Sequence, residues 1–209
     1  MSRKAIFLDK DGTLIENVPF NVDVTKVRLL DGVPLGLQAL QEAGFQLIIV
    51  TNQPGVALGH FQKKDLFRIR HHMAFLFEQA GVTLSGFYYC PHHPDARLPQ
   101  FRMECSCRKP GPGLLYMASI DNQIELEESW MVGDILDDVE AGRRADCLTA
   151  LIDNGNETEW QVTPLRKPHV TAPNFLSAVE KILSWGPGCH GLPGGEVRER
   201  MSSIGERPS

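Results

Sequence analysis

The sequence lacks the features of several protein classes. No apolar run approaches the roughly 20 residues that a helix needs to cross a bilayer, so we expect no membrane partner. The first apolar run ends at Asp9 after a few positions and has no small-residue cleavage site, unlike a secretory leader. The formal net charge of −5 gives no general reason to expect a nucleic-acid partner. We therefore expect a soluble, cytoplasmic protein.

Two motifs that would have indicated other functions are also absent. The first predicted strand is followed by DKDGTL, residues 9–14, where a dinucleotide-binding enzyme has G-x-G-x-x-G. The cysteine-rich segment has no pair of C-x2-C knuckles, and it lies in an acidic chain, which argues against a zinc ribbon that binds nucleic acid. Both alternatives are therefore disfavoured.

Short apolar runs alternate with helical patterns along the chain. Residues 4–9 and 45–51 predict buried strands, and residues 33–44 between them predict a helix that ends at a glycine. The same alternation predicts further helices at 62–80, 113–120, 135–145 and 174–184, and further strands at 86–90, 129–134 and 147–153. This order indicates an α/β domain over residues 1–185, with a Rossmann-like parallel sheet and helices on both faces. Residues 186–209 are rich in Gly, Pro and Ser and predict a flexible C-terminal tail.

Polar side chains follow the predicted strands where ligands of open α/β sheets bind, beyond the carboxyl ends. These residues are Asp9, Asp11, Thr51, Asp134 and Asp138. Taken singly, each also fits an ordinary turn or helix cap. Together, carboxylates without a histidine suit Mg²⁺, which prefers oxygen ligands. With Lys109 they fit phosphoryl transfer through an aspartyl-phosphate, because Mg²⁺ and a lysine neutralise charge on the transferring group.

A second cluster of metal-type residues has the spacing C-x-H-x12-C-x-C. Its members are Cys90, His92, Cys105 and Cys107. Three thiolates and one imidazole match the closed tetrahedral set of a structural Zn²⁺ site. Such a site would clamp the long loop and fix Arg108 and Lys109, which follow it directly. His93 is the weaker imidazole candidate, while Cys147 is expected in the core and Cys189 in the tail.

One motif receives no function from the sequence. Asn156-Glu157-Thr158 matches the acceptor pattern for N-glycosylation. Such triplets arise by chance and are inert in a cytoplasmic protein. We therefore assign no role to these three residues on sequence grounds.

Four segments together resemble the four motifs of the haloacid dehalogenase (HAD) superfamily of phosphatases. In chain order they are DKDGT (9–13), VTNQ (50–53), RKPGPG (108–113) and GDILDD (133–138). The resemblance extends over nearly all of residues 4–150 and implies a HAD-type sheet. The intervals between the motifs are too short for a separate cap domain.

The resemblance also implies a role for each motif residue. Asp9 would be the nucleophile, and Asp11 the general acid that protonates the leaving alcohol and then the base that activates water. Thr51 and Lys109 would hold the phosphoryl group, and Asp138 would orient Lys109 or a metal-bound water. The implied magnesium ligands are Asp9, Asp11 through its backbone carbonyl, and Asp134.

Within the superfamily, a zinc loop just before the motif-three lysine resembles the family shared by D-glycero-D-manno-heptose-1,7-bisphosphate 7-phosphatase and histidinol-phosphate phosphatase. Without a cap domain, substrate would meet residues 16–23, residues 52–61 and the zinc loop directly. The candidate substrate-binding residues are Asn17, Phe20, Asn52, Gln53 and Arg108.

Arg108 favours a phosphorylated sugar that carries a second phosphate, because an arginine can grip a phosphate through two hydrogen bonds and would repel the cation of histidinol phosphate. The heptose enzymes often have a lysine after the motif-four aspartate, where this chain has Ile135. We expect removal of the 7-phosphate of a heptose bisphosphate by a monomeric enzyme. Histidinol-phosphate phosphatase and a non-catalytic, zinc-stabilised binding protein stay open as alternatives.

Overall fold

The computed structural model describes residues 3–186 of the chain. Its strands are β1 (Ala5–Leu8), β2 (Gln46–Asn52), β3 (Leu84–Cys90), β4 (Trp130–Gly133), β5 (Leu148–Ile152) and β6 (Val170–Ala172). Its α-helices are α1 (Val33–Glu42), α2 (Gly55–Leu58), α3 (Lys63–Gln79), α4 (Gly113–Asn122), α5 (Leu136–Arg144) and α6 (Phe175–Leu183). The expected tail, apart from its first residue, and Cys189 lie outside the described residues.

The strands form one sheet in the order β3-β2-β1-β4-β5-β6, and every neighbouring pair is parallel. The predicted parallel sheet is confirmed. Strand β1 lies between β2 and β4, so the chain runs outward from β1 in both directions. In such sheets the crevice that binds ligands opens beyond the carboxyl ends of the strands at this switch point.

Helices cover both faces of the sheet, as the alternation predicts. Alternate residues of β1 belong to different core clusters: Ile6 and Leu8 face α1, α3 and α6, whereas Ala5 and Phe7 face α4 and α5. All four side chains are fully buried. Cys147 is buried in the second cluster, as expected of a core cysteine. Among residues 3–186, no separate cap domain interrupts this arrangement.

Two elements were not predicted from the sequence. Strand β6 has only three residues, too few to show a periodic pattern, and it lies at the edge of the sheet. Helix α2 is a single turn within a Pro/Gly-containing stretch, closed by Gly59 in the left-handed region at φ 78°. No helix in the described part of the chain is long and apolar enough to span a membrane.

Candidate active site and cysteine cluster

A cleft of about 200 Å³ opens at the carboxyl ends of β1, β2 and β4. Its walls include most of the residues predicted from the sequence to take part in catalysis, substrate binding or magnesium binding: Asp9, Asp11, Asn17, Phe20, Thr51, Asn52, Gln53, Lys109 and Asp134. Ile135 lies beside them in the lining. Arg108 and Asp138 do not line the cleft, and Asp138 lies beneath it, fully buried. The structure therefore brings four sequence segments that are far apart in the chain to one place.

Lys109 lines the cleft and is only 2% exposed. Its ammonium group pairs with Oδ1 of Asp9, and it lies 2.5 Å from Oδ1 of Asp138 and 3.2 Å from the carbonyl oxygen of Val50. Burial alone would lower the pKa of Lys109, but the negative charges of Asp138 and Asp9 outweigh burial and raise it. Lys109 is therefore a fixed positive charge.

Three buried carboxylates surround this lysine. Oxygen atoms of Asp9, Asp134 and Asp138 lie within 4.8 Å of one another. Burial, followed by the charge of Asp9, raises the pKa of Asp134 to about 6. Three carboxylates against one ammonium leave two negative charges when all are ionised. A buried set of oxygen ligands with this charge fits a divalent cation such as Mg²⁺.

Asp11 lies at the cleft but outside this carboxylate cluster. Its Oδ1 lies 2.5 Å from Nζ of Lys10, a lysine that is itself 1% exposed, and its Oδ2 accepts a hydrogen bond of 2.9 Å from Nε2 of Gln53. Both contacts use the carboxylate as an acceptor. They fix the side chain at the edge of the site, where a general acid and base would stand.

Residues 51–53, at the end of β2, serve the site in three ways. Thr51 is buried, and its hydroxyl accepts a hydrogen bond from Gln53 at 3.1 Å, which leaves its own proton free to donate. Gln53 thus joins Thr51 to Asp11. The Asn52 amide instead bonds the Lys109 backbone twice, accepting from its N–H at 3.0 Å and donating to its carbonyl at 3.1 Å. Asn52 therefore fixes the position of Lys109.

The mouth of the cleft is closed on one side by two loops in contact. Phe20 stacks on His60 with ring centroids 4.0 Å apart and an interplanar angle of 16°. Phe20 has φ 55°, an uncommon conformation for a bulky residue, and its side chain is 44% exposed. Asn17 lies in the same loop and also lines the cleft. The segments after the first and second motifs thus form one wall.

Arg108 is half-buried, and its Nη1 is a buried donor that no protein group in the described residues accepts. Burial raises the pKa of Asp137, at the start of α5, and the positive charges of Arg166 and then Arg108 oppose that rise. A buried guanidinium nitrogen without an acceptor is costly and can be satisfied by an anion.

The four cysteine-cluster residues converge, with one ligand atom from each lying within 4.8 Å of the others. Separations between sulfurs are 3.2 Å for Cys107–Cys90, 3.3 Å for Cys107–Cys105 and 3.6 Å for Cys90–Cys105. Nδ1 of His92 lies 3.3 Å from Cys107 Sγ and 3.7 Å from Cys90 Sγ. A tetrahedron with Zn–S bonds of about 2.3 Å has S–S edges of about 3.8 Å. The cluster therefore fits a tetrahedral metal ion, and its cysteines form no disulfide.

The loop between the two halves of this cluster is attached to the wall of the active site. The backbone N–H groups of Arg97 and Leu98 both donate to the carbonyl of Ala57 in α2, at 2.9 and 3.2 Å. His93 is not among the clustered ligands, and its Nδ1 accepts from the backbone N–H of Asp95. The loop is thus fixed at α2 as well as at the clustered ligands.

Curated bacterial proteins are similar to this sequence over most of their length. A protein from Yersinia pestis named D-glycero-beta-D-manno-heptose-1,7-bisphosphate 7-phosphatase is 38% identical over 148 residues, which cover 71% of this chain and 79% of that protein. The protein of the same name from Escherichia coli K12 is 38% identical, with 71% and 78% coverage. The chain belongs to this family of heptose bisphosphate phosphatases.

Two further comparisons agree with this family. A family model described as HAD-hydrolase-like matches residues 106–178, which include the third and fourth motifs. The crystal structure of D,D-heptose 1,7-bisphosphate phosphatase from B. bronchiseptica, complexed with magnesium and phosphate, has a TM-score of 0.70 and 26% identity. The match covers 86% of this chain and 98% of the B. bronchiseptica chain. The HAD-type fold and the resemblance to this phosphatase family are confirmed.

Three residues of the site were missed by the sequence reasoning. Lys10 pairs with Asp11, Thr13 donates to Oδ1 of Asp134 at 3.2 Å, and Asn156 donates to Oδ2 of Asp134 at 2.8 Å. Lys10 and Thr13 stand inside the first motif, so their position was a usable signal. Asn156 had no such signal, because its only recognisable pattern was the glycosylation triplet.

Proposed function

We propose that this protein is a Mg²⁺-dependent phosphoric monoester hydrolase that removes the 7-phosphate of D-glycero-β-D-manno-heptose 1,7-bisphosphate through an aspartyl-phosphate. The observation that carries the proposal is the convergence of Asp9, Asp134 and Asp138 around the buried Lys109 at an open cleft. The named relatives support the sugar and its β configuration.

The residues at the cleft divide the reaction between them. A carboxylate oxygen of Asp9 attacks phosphorus, and the bond from phosphorus to the sugar oxygen breaks as the new bond forms. Thr51 and Lys109 hold the oxygens of the transferring group. Asp11 gives a proton to the leaving sugar oxygen and then takes one from the water that hydrolyses the aspartyl-phosphate, releasing inorganic phosphate. Lys10 and Gln53 both contact the Asp11 carboxylate as donors and hold it in place for these two proton transfers.

Magnesium would be held by Asp9 and Asp134, together with the backbone carbonyl of Asp11. When bound, Mg²⁺ supplies positive charge against the phosphoryl oxygens and the carboxylates. Asp138 pairs with Lys109 in the structure, so we assign it the orienting role and not a metal bond. The crystal structure of the B. bronchiseptica relative with magnesium and phosphate supports this choice of ion.

The remaining residues would select and frame the substrate. Arg108, with its free buried Nη1, would bind the second phosphate. Asn17, Phe20 and Gln53 would contact the sugar, and Asn52 would act through Lys109. Ile135 in the cleft lining adds an apolar contact where the heptose enzymes often have a lysine. The cysteine cluster would hold structural Zn²⁺, which suits the reducing cytoplasm. The protein would act there as a monomer.

The testing experiment measures phosphate release with Mg²⁺ present. kcat/KM is compared for the α and β anomers of heptose 1,7-bisphosphate and for histidinol phosphate. We expect the β-bisphosphate to be preferred by at least about tenfold, equivalent to about 1.4 kcal/mol of transition-state stabilisation. Preference for histidinol phosphate would overturn the substrate and the role of Arg108, while leaving the aspartyl-phosphate mechanism intact. Absence of turnover on all three would favour a non-catalytic binding protein.

A further inference from the structure

The loop that follows β5 reaches the active site at three successive points. Nδ2 of Asn154 donates to the carbonyl of Gly12 at 2.7 Å, and Nδ2 of Asn156 donates to Oδ2 of Asp134 at 2.8 Å. Oε2 of Glu157 accepts from the backbone N–H of Leu136 at 2.6 Å, at the start of α5. This segment, residues 154–157, therefore joins the turn of the first motif to the fourth motif.

The contact with Asp134 is the one that matters for a cation. Asp134 is 2% exposed, and each of its oxygens accepts one hydrogen bond: Oδ1 from Thr13 at 3.2 Å and Oδ2 from Asn156 at 2.8 Å. A carboxylate offers about two lone-pair positions on each oxygen, so both oxygens keep capacity for a metal. Two donors on opposite oxygens restrict rotation of the carboxylate plane.

Gly12 makes this arrangement possible. It has φ 83°, and a Cβ atom there would overlap both Oδ2 of Asp134 and Nδ2 of Asn156. The turn of the first motif, the carboxylate and the amide therefore meet at a spot where only glycine fits. Because the Asn156 amide is neutral, it orients the carboxylate without adding a positive charge that would compete with a cation.

We infer that Asn156 is a positioning residue that holds Asp134 for Mg²⁺ and thereby sets the affinity of the site for the ion. The inference rests on the proposed role of Asp134 as a magnesium ligand. Residues that orient a metal ligand in this way typically change the metal affinity by about 10- to 100-fold. The amide acts through Asp134 and not on the substrate.

The test compares Asn156→Ala with Thr158→Ala in the full-length protein. Thr158 is an exposed residue of the same loop, and its substitution removes the same glycosylation pattern. Mg²⁺ binding is measured by calorimetry, and Mn²⁺ binding by electron paramagnetic resonance. We expect Asn156→Ala to weaken binding of both ions by about tenfold or more, with Thr158→Ala unchanged. Turnover by Asn156→Ala should be low at limiting Mg²⁺ and return towards the wild-type kcat at saturating Mg²⁺.

Asp134→Asn separates this inference from the proposed function. If the wild type binds Mg²⁺ and Asp134→Asn does not, the proposed metal site is supported. In that case, unchanged Mg²⁺ binding by Asn156→Ala would overturn only the role of Asn156. If Asp134→Asn binds Mg²⁺ as tightly as the wild type, both are overturned. Thermal melts without metal check folding, and Asn156→Ser, whose side chain is too short to reach Asp134, replaces the alanine variant if that variant does not fold.

Discussion

The two metal-type clusters of this chain differ in chemistry and in access. The cysteine cluster collects three sulfurs and one nitrogen from the two ends of a single loop, residues 90–107. The carboxylate cluster collects three oxygens from Asp9, at the end of β1, and from Asp134 and Asp138, after β4. The first provides a complete tetrahedral set, whereas two carboxylates of the second, Asp9 and Asp134, face a cleft.

The difference assigns each cluster a task. A closed set of three thiolates and one imidazole leaves no position for water or substrate, so it can stabilise structure but not carry out the reaction. An open set of hard ligands beside a buried lysine can hold a divalent cation, and this cation and the lysine together would bind and polarise a phosphate. Only Arg108 separates Cys107 from Lys109, so a metal ion held by the closed cluster would also fix the lysine on which the open cluster depends.

The largest expected effect comes from the open cluster. Asp9→Asn should lower kcat by on the order of 10⁴-fold, because the amide is a poor nucleophile and the step through an aspartyl-phosphate is lost. Phosphate release under saturating Mg²⁺ measures the loss. Asp31→Asn, an exposed aspartate outside the cleft, should keep full turnover. Retention of a few per cent of activity by Asp9→Asn would contradict a nucleophilic role.

The closed cluster should show its effect first in stability. Cys105→Ser removes one of four ligands, and we expect loss of bound zinc and a fall in Tm of about 10 °C. For a chain of this size, where about 1 kcal/mol corresponds to 2–4 °C, this fall is a loss of about 2.5–5 kcal/mol in the free energy of unfolding. Activity should fall too, because Lys109 lies just beyond Cys107. Zinc content by mass spectrometry and thermal melting measure both effects.

Cys147→Ala is the matched control for that change. Cys147 is buried in the core and belongs to neither cluster, so this variant should keep its zinc. If Cys105→Ser lost its zinc but melted and turned over like the wild type, the loop would not act as a clamp. The distinction between a structural and a catalytic cluster would then have to be abandoned.

A substitution at Arg108 tests whether the residue between the two clusters contributes to substrate specificity. Arg108→Ala should lower kcat/KM for heptose bisphosphate by about 10- to 100-fold, because a hydrogen bond to a charged group contributes about 1.5–3 kcal/mol. An aryl phosphate, which lacks the second phosphate, should lose only a few-fold. Arg70→Ala, an exposed arginine on α3, should change neither substrate. Equal losses of kcat/KM on both substrates would show that Arg108 supports Lys109 and does not bind the second phosphate.

The sequence could predict features that depend on neighbours along the chain. Strand-end carboxylates and cysteine spacing are local, so pattern alone nominates Asp9, Asp134, Asp138 and the four cysteine-cluster residues, and the structure brings each set together. The stacking of Phe20 on His60 and the bond from Asn156 to Asp134 join residues that are far apart, and their side-chain directions depend on how the loops pack. The three-residue strand β6 is too short for a periodic signal.

Asn52 shows the same limit within a predicted site residue. The sequence places it at the cleft and nominates it for substrate binding, and the cleft position is correct. Its amide, however, makes hydrogen bonds of 3.0 and 3.1 Å to the backbone of Lys109. Pattern reasoning locates such a residue but does not show which group its side chain meets.

Asn52→Asp gives the smallest and most selective prediction. The variant keeps the acceptor for the Lys109 N–H but replaces the donor with an oxygen that faces the Lys109 carbonyl. We expect kcat to fall by about tenfold, a cost of about 1.4 kcal/mol, with zinc content unchanged. Because a displaced Lys109 impairs every phosphate ester, the loss should be equal for heptose bisphosphate and an aryl phosphate. A loss confined to KM for the bisphosphate would instead mean that Asn52 contacts the sugar directly.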